Sequence, residues 1–214
     1  MISSEMPRIT KIELQKKNPK RRSIFLDERF AFGLDEEVVY KYGLKVGQEL
    51  EQKKIDQIVE AETKKEAKDA ALKFLSYRMR SEKEVRDKLK KKEFVEDLIT
   101  EVIKDLKRVN LVDDYEFASA FIRDGISNNP RGKILLRQEL WKKGIKKEII
   151  EKVLREYFKD EDEELILAKE LLQKRKKRYE SLDENVAKRR LMSFLLRRGF
   201  SYDIVKQVLK IEDV

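Results

Sequence analysis

The side chains best placed to do chemistry in this sequence are cations. Lys91-Lys92-Glu93, Lys142-Lys143-Gly144 and Arg197-Arg198-Gly199 each stand just before an apolar residue, namely Phe94, Ile145 and Phe200. Lys and Arg at matched positions suit a polymer of phosphates, because they release counterions and bind without reading sequence. The same residues also favour the negative end of a helix dipole, so a solvated helix end explains them equally well. Other candidate contacts are Arg78 and Arg80 before Ser81, Arg131 and Lys133 around Gly132, Arg137, and Arg189-Arg190. Arg78 and Arg80 also suit bracing, by bonding helix-end carbonyls or Asp113 and Asp114, since a guanidinium can grip a carboxylate with two N–H groups.

Much other chemistry is excluded by residue type. The chain has no Cys and no His. That removes disulfides, thiolate zinc, cysteine nucleophiles, imidazole ligands and the Ser-His-Asp triad. Arg131-Gly132-Lys133 fails as a phosphate loop, because Gly125 is too far upstream and Ile134 stands where a hydroxyl is needed. Asp113-Asp114 with Glu116 reads as a helix cap, not a metal pair, since no calcium-loop spacing surrounds it. Trp141 and Tyr157 offer stacking faces for unpaired bases, but Trp141 follows the apolar position Leu140, and packing at a boundary between repeats is the expectation there. No catalytic residue, metal site or cofactor is expected, and the chain reads as a non-enzyme.

These side chains must be carried by helices. Of 214 residues, 43% are charged, against roughly 25% in an ordinary domain, while 40% are hydrophobic. A packed core is therefore compatible with the composition, and wholesale disorder is not. Only 7 Gly and 3 Pro interrupt a chain rich in Lys, Glu and Leu. The net charge of +9 is spread evenly along the sequence, with no acidic or basic tail. It fits a nucleic-acid partner, or equally the Lys/Glu-laced helices of heat-adapted proteins. No apolar run approaches a membrane span, and Met1–Lys17 lacks a signal-peptide segment, so a cytoplasmic location is expected.

The strongest pattern is an internal repeat. Val85, Leu89, Phe94, Leu98, Ile99, Val102 and Ile103 recur 51 residues later as Leu136, Leu140, Ile145, Ile149, Ile150, Val153 and Leu154. They recur again 55 residues further on as Leu191, Leu195, Phe200, Ile204, Val205, Val208 and Leu209. A first helix precedes each block, through Ala71-x2-Phe74-Leu75, Ala118-x2-Phe121-Ile122 and Ala168-x2-Leu171-Leu172. Insertions fall only in the first interhelical loop. Each unit therefore reads helix, loop, short helix, tight turn, helix, with a single apolar stripe per helix and leftover apolar surface to stack on the next unit. Thr63 with Glu66, Ser81 with Glu84 and Asp113 with Glu116 fit N-terminal capping boxes, and Pro130 suits a first helical turn.

Residues 1–58 differ. Ile9–Lys17, Arg21–Asp27 and Phe30–Leu34 read as strands, with a turn at Asn18-Pro19. Glu36–Tyr42 reads as a short helix stopped by Gly43, and Leu44–Leu50 as extended. The expected architecture is mainly α: a small β-rich N-terminal domain (1–58) and tandem three-helix repeats at 59–112, 113–158 and 159–214.

The repeat core resembles the RecX family of recombinase regulators. The residues that carry the likeness are Tyr77-Arg78-Met79-Arg80-Ser81-x2-Glu84-Val85-x3-Leu89, then Asn110-Leu111-Val112-Asp113-Asp114-x2-Phe117-Ala118, then Arg131-Gly132-x2-Leu135-Leu136-x2-Glu139-Leu140-x2-Lys143-Gly144-Ile145. The match spans about residues 60–211, and 1–58 looks like the extension some members carry. The resemblance implies a regulatory protein that binds the RecA–DNA filament and lowers its ATP hydrolysis and strand exchange. It implies RecA as partner, with weak, non-sequence-specific contact to single- and double-stranded DNA, and a monomer is expected. The competing expectation is an autonomous DNA-binding helical repeat.

Overall fold

In the computed structural model, which describes residues 6–210, three strands open the fold. They are β1 (Ile9–Gln15), β2 (Asn18–Leu26) and β3 (Arg29–Asp35), antiparallel in the order β1-β2-β3. The first hairpin turns at Lys16-Lys17, so Asn18-Pro19 opens β2 instead of forming the turn. Proline is tolerated there because the first residues of a strand need not donate to the ladder. The second hairpin turns at Asp27-Glu28, with φ of 46° and 66°. Two successive positive φ values match the twist of the flanking strands, and Asp is among the residues that tolerate them.

Among the described residues ten helices follow, interrupted once by a 3-10 turn at Lys177–Tyr179: α1 (Glu36–Lys41), α2 (Gln52–Leu75), α3 (Glu82–Lys90), α4 (Glu96–Arg108), α5 (Asp114–Ser127), α6 (Lys133–Lys142), α7 (Lys147–Tyr157), α8 (Glu161–Lys176), α9 (Glu184–Arg197) and α10 (Tyr202–Leu209). The repeat reading is met, as α2-α3-α4, α5-α6-α7 and α8-α9-α10. Four expectations need correction. Thr63 lies inside α2, where its hydroxyl donates to the Val59 carbonyl at 2.8 Å, so it caps nothing. Helical structure begins at Gln52, inside the segment 1–58 read as β-rich, because no breaker interrupts the run from there. Pro130 precedes α6 by three residues, and Gly132 is the cap residue instead. Residues 44–50 form a loop whose one strand-like contact is the Arg8–Glu49 bridge.

The chain divides into two compact units. One comprises the described residues up to Ser76 together with Leu89–Val102; the other comprises Tyr77–Lys88 and the described residues from Ile103. In the first, Ile9, Ile24, Leu34, Val38, Leu44 and Leu50 form the core with Ile58 of α2. A polar clasp reinforces it. Glu62 of α2 accepts the Asp35 amide at 2.7 Å, and Arg21 of β2 lies 3.0 Å from Glu62 and 2.9 Å from Glu66. Burial pushes the Glu62 carboxyl up, and the Asp35 amide and Arg21 only partly oppose it.

In the second unit, one continuous core joins the last two repeats. Phe117, Ile122, Leu136, Leu140, Ile145, Ile150 and Val153 meet Phe158, Leu167, Leu171, Leu195, Phe200 and Val205. Side-chain caps set the helix starts. Asp113 accepts from the Tyr115 and Glu116 amides, Asp160 from Glu163, Asp183 from Asn185 and Val186, and Ser201 from Ile204. Ser81 and Glu84 exchange hydrogen bonds with each other's amides at 3.2 and 3.3 Å, the reciprocal box that their spacing predicts.

Candidate functional site

The three basic doublets sit on three copies of one turn. The amide two residues past each doublet bonds back to the helix carbonyl five residues earlier: Phe94 to Leu89, Ile145 to Leu140 and Phe200 to Leu195. The residue between takes positive φ: 65° at Glu93, 80° at Gly144 and 82° at Gly199. This closes the end of the second helix; Ile145 and Phe200 then drop into the core, while Phe94 is only half-buried.

The two later turns are also the joints of the array. A helix C-terminus leaves carbonyls without partners, and a helix N-terminus leaves amides. Here the two sets meet across repeats. The Lys143 carbonyl accepts the Ser81 hydroxyl at 2.7 Å, and the Lys142 carbonyl accepts the Lys83 ammonium at 3.1 Å. One repeat further on, the Arg198 carbonyl accepts the Gly132 amide at 2.8 Å, and the Gly199 carbonyl accepts the Ile134 amide at 3.1 Å. The approach is so close that a Cβ on Gly132 would stand 2.3 Å from the Gly199 oxygen. A Cβ on Gly199 would stand 2.4 Å from the backbone nitrogen of Leu135.

The doublets therefore split by role. Their second members serve the joints: Lys143 Nζ lies 2.7 Å from Glu84, and Arg198 donates to Asn129 Oδ1 and stacks over Phe194. Burial alone would raise the Glu84 carboxyl. Hydrogen bonds from Arg78, Lys143 and the Ser81 amide outweigh that and bring its pKa down to about 2. The first members, Lys142 and Arg197, are exposed, as are Lys91 and Lys92 of the first turn.

The remaining candidates divide in the same way. Arg131 is buried, stacked 4.7 Å over Phe121, and bonded to Glu139 and Asp124. Lys133 is half-buried, 3.5 Å from Glu164 and 5.3 Å over Phe158. Arg137 grips Glu151 with two N–H groups at 2.6 and 3.1 Å, and that grip holds the Glu151 carboxyl below its usual range. Arg78 pairs with Glu84 at 2.9 Å and donates to the Met79 carbonyl, so its bracing partners are these and not Asp113 or Asp114. Asp114 instead accepts the Glu82 amide at 2.8 Å. Arg80 is half-buried. Arg189 and Arg190 are exposed, the latter 6.0 Å over Tyr179.

Sequence reasoning missed one feature. Trp141 is 64% exposed and is not packed between repeats. It lines a depression of about 380 Å³ with Arg137, Gln138, Lys142, Lys147, Ile150 and Glu151, all in the second repeat. The signal was available: positions 137, 138, 141 and 142 share one outward helix face, opposite the buried stripe of Leu136 and Leu140. Among the described residues, no group of three or more acidic side chains could hold a metal ion, and no helix is long and apolar enough to cross a membrane.

Such geometry defines a class: a helical-repeat scaffold of three units, jointed through helix ends, with an N-terminal sheet. Comparison with known proteins gives the family. Models described as the RecX N-terminal domain and the first, second and third three-helix domains of RecX match residues 7–51, 67–106, 113–154 and 161–209. The regulatory protein RecX of Clostridium botulinum (strain Eklund 17B / Type B) is 37% identical over 207 residues, covering 96% of both chains. That of Bacillus subtilis (strain 168) is 40% identical over 205 residues, covering 95% of this chain and 76% of that one. A crystal structure of regulatory protein RecX superposes with a TM-score of 0.73 at 32% identity, covering 96% of this chain and all (100%) of that one. The structure of RecX from Lactobacillus salivarius gives 0.63 at 31% identity, covering 70% of this chain and 96% of that one. The chain belongs to the RecX family of regulatory proteins.

Proposed function

We propose that this protein binds the RecA–DNA filament and lowers its ATP turnover and strand exchange. The observation that carries the reading is membership of the RecX family through all four family domains along one chain. The jointed repeats support it physically. A tandem of similar repeats can offer several contacts to a helical polymer, and linked weak contacts multiply into avidity when the spacing matches. A protein that bridges protomers restrains the motions coupled to ATP turnover, with no catalysis of its own.

Lys142, Arg197, Lys91, Lys92 and Arg189 are the contact residues of this reading, because they are exposed cations that the joints do not use. Lys143, Arg198, Arg131, Lys133, Arg137 and Arg78 act chiefly by holding the scaffold in shape. The protein works as a cytoplasmic monomer, and its contact with single- or double-stranded DNA is weak and indifferent to sequence.

The test is ATP turnover by preformed RecA filaments on single-stranded DNA, with this protein titrated well below one per RecA protomer. A strong fall at substoichiometric amounts is expected. No fall until the protein coats the DNA would overturn the reading in favour of autonomous DNA binding, with affinity dropping steeply as salt rises. The contact surface is tested with Lys142→Ala/Arg197→Ala, which leaves both joints intact. Inhibition equal to wild type would refute that assignment.

A further inference from the structure

The second repeat carries a surface that the scaffold does not use. Four of its residues, Arg137, Gln138, Trp141 and Lys142, lie at i, i+1, i+4 and i+5 on α6. Three more, Lys147, Ile150 and Glu151, lie at i, i+3 and i+4 on α7. Both spacings put the residues on one side of their helix, so the two faces form a single depression. Ile150, 1% exposed, is its floor. The stems of Lys142 and Lys147 belong to its walls, with their ammonium groups free to reach water. Arg137 is held flat by its two bonds to Glu151, which also consume the one negative charge at the rim. What remains is an indole beside an apolar floor, two flexible cations and the amide of Gln138.

Exposed tryptophan is uncommon, because the ring gains more than most side chains from leaving water. A ligand that covers Trp141 must offer a flat apolar face and negative charge close by. A nucleobase with its phosphates has both, and stacking on an aromatic ring is indifferent to base identity. We infer that Trp141 is a stacking platform for a base of single-stranded nucleic acid, with Lys142 and Lys147 taking the adjoining phosphates. The inference deepens the proposed filament function and rests on it for the source of the strand, yet its test does not depend on RecA.

Trp141 is the sole tryptophan, so its emission reports on this site alone. The full chain is titrated with oligothymidylate, with an abasic oligonucleotide of equal length and charge, and with an acidic peptide carrying a phenylalanine. Oligothymidylate quenches the emission, while the abasic strand binds by anisotropy without quenching. Trp141→Ala weakens oligothymidylate binding about tenfold or more, and Trp141→Phe restores most of it. Circular dichroism confirms that both variants fold, as expected for an exposed side chain.

Three results overturn the inference: oligothymidylate binding without quenching, unchanged affinity in Trp141→Ala, or quenching by the peptide and not by the strand, which would give the surface to a protein partner. The filament reading fails separately, if the wild-type protein does not slow RecA even though quenching is seen.

Discussion

Replacing Gly132 with alanine tests the joint between the last two repeats at its tightest point. Gly132 has φ −74° and ψ 167°, extended backbone that alanine adopts without strain. The weaker capping by alanine and its smaller unfolded-state entropy roughly cancel, at under about 1 kcal/mol each. What remains is steric. A Cβ 2.3 Å from the Gly199 oxygen must move about 1 Å to reach an ordinary contact. That shift breaks the Gly132–Arg198 and Ile134–Gly199 hydrogen bonds, which stand at 2.8 and 3.1 Å. Losing two such bonds in a closed interface and loosening the core beneath costs about 2–4 kcal/mol, or roughly 5–15 °C in Tm. Urea unfolding followed by far-ultraviolet circular dichroism reads it directly. Gly199→Ala costs about 1–2 kcal/mol more, since its left-handed backbone adds strain to the same clash. Because both substitutions break one joint, the double variant loses much less than the sum of the two. A loss below about 1 kcal/mol for Gly132→Ala, or full additivity, would refute the joint.

Three further outcomes are expected. Lys143→Ala lowers stability by about 1 kcal/mol because it removes a part-buried pair across a joint, whereas Lys142→Ala stays within about 0.5 kcal/mol of wild type in the same urea assay. Arg131→Lys costs about 2–4 kcal/mol, since an ammonium cannot stack on Phe121 and bond Glu139 and Asp124 together; thermal unfolding measures it. Glu84 has its folded pKa lowered from 4.5 to about 2, so it contributes stability above about pH 4.5 that is lost as pH falls toward 2. The shift corresponds to at most about 3 kcal/mol, and solvent screening leaves about 1–2. Glu84→Gln is therefore less stable than wild type at pH 7, with a gap that closes near pH 2 in a pH series of urea unfolding.

The repeat architecture was legible because apolar spacing is a local signal repeated in register, from Val85 through Leu209. The caps at Ser81 and Asp113 were legible for the same reason, as each acts within three residues of itself. Thr63 failed because a Thr four residues after Val59 can bond back to that carbonyl within a continuous helix. The division of the basic doublets was not legible. Lys143 meets Glu84 59 positions away, and Arg198 meets Asn129 69 positions away, distances over which composition says nothing. One clue lay in the sequence: a glycine follows the doublet in the second and third repeats, and a small residue, Ser81 or Gly132, opens the short helix of the repeat before. That pairing marks a close backbone approach. Trp141 was misread because adjacency to Leu140 suggests burial, while a helix turns neighbouring residues about 100° apart.

The joint is directional, plug into socket, and a directional contact made from one repeated element grows without limit unless something stops it. Both ends of this array are stopped. The plug position of the first repeat is Glu93, where the later repeats have Gly144 and Gly199, whose missing side chains let Lys83 and Leu135 approach. The socket position of the third repeat, matching Ser81 and Gly132, is Ala187, already inside α9 because that helix starts early at Glu184. No amide is left there to receive a fourth turn. The interlocking turn thus joins the second repeat to Tyr77–Lys88 and the third repeat to the second, and the third repeat has no matching socket. A further joint of the same kind would take two edits at once: a glycine at 93 and a later start to α9.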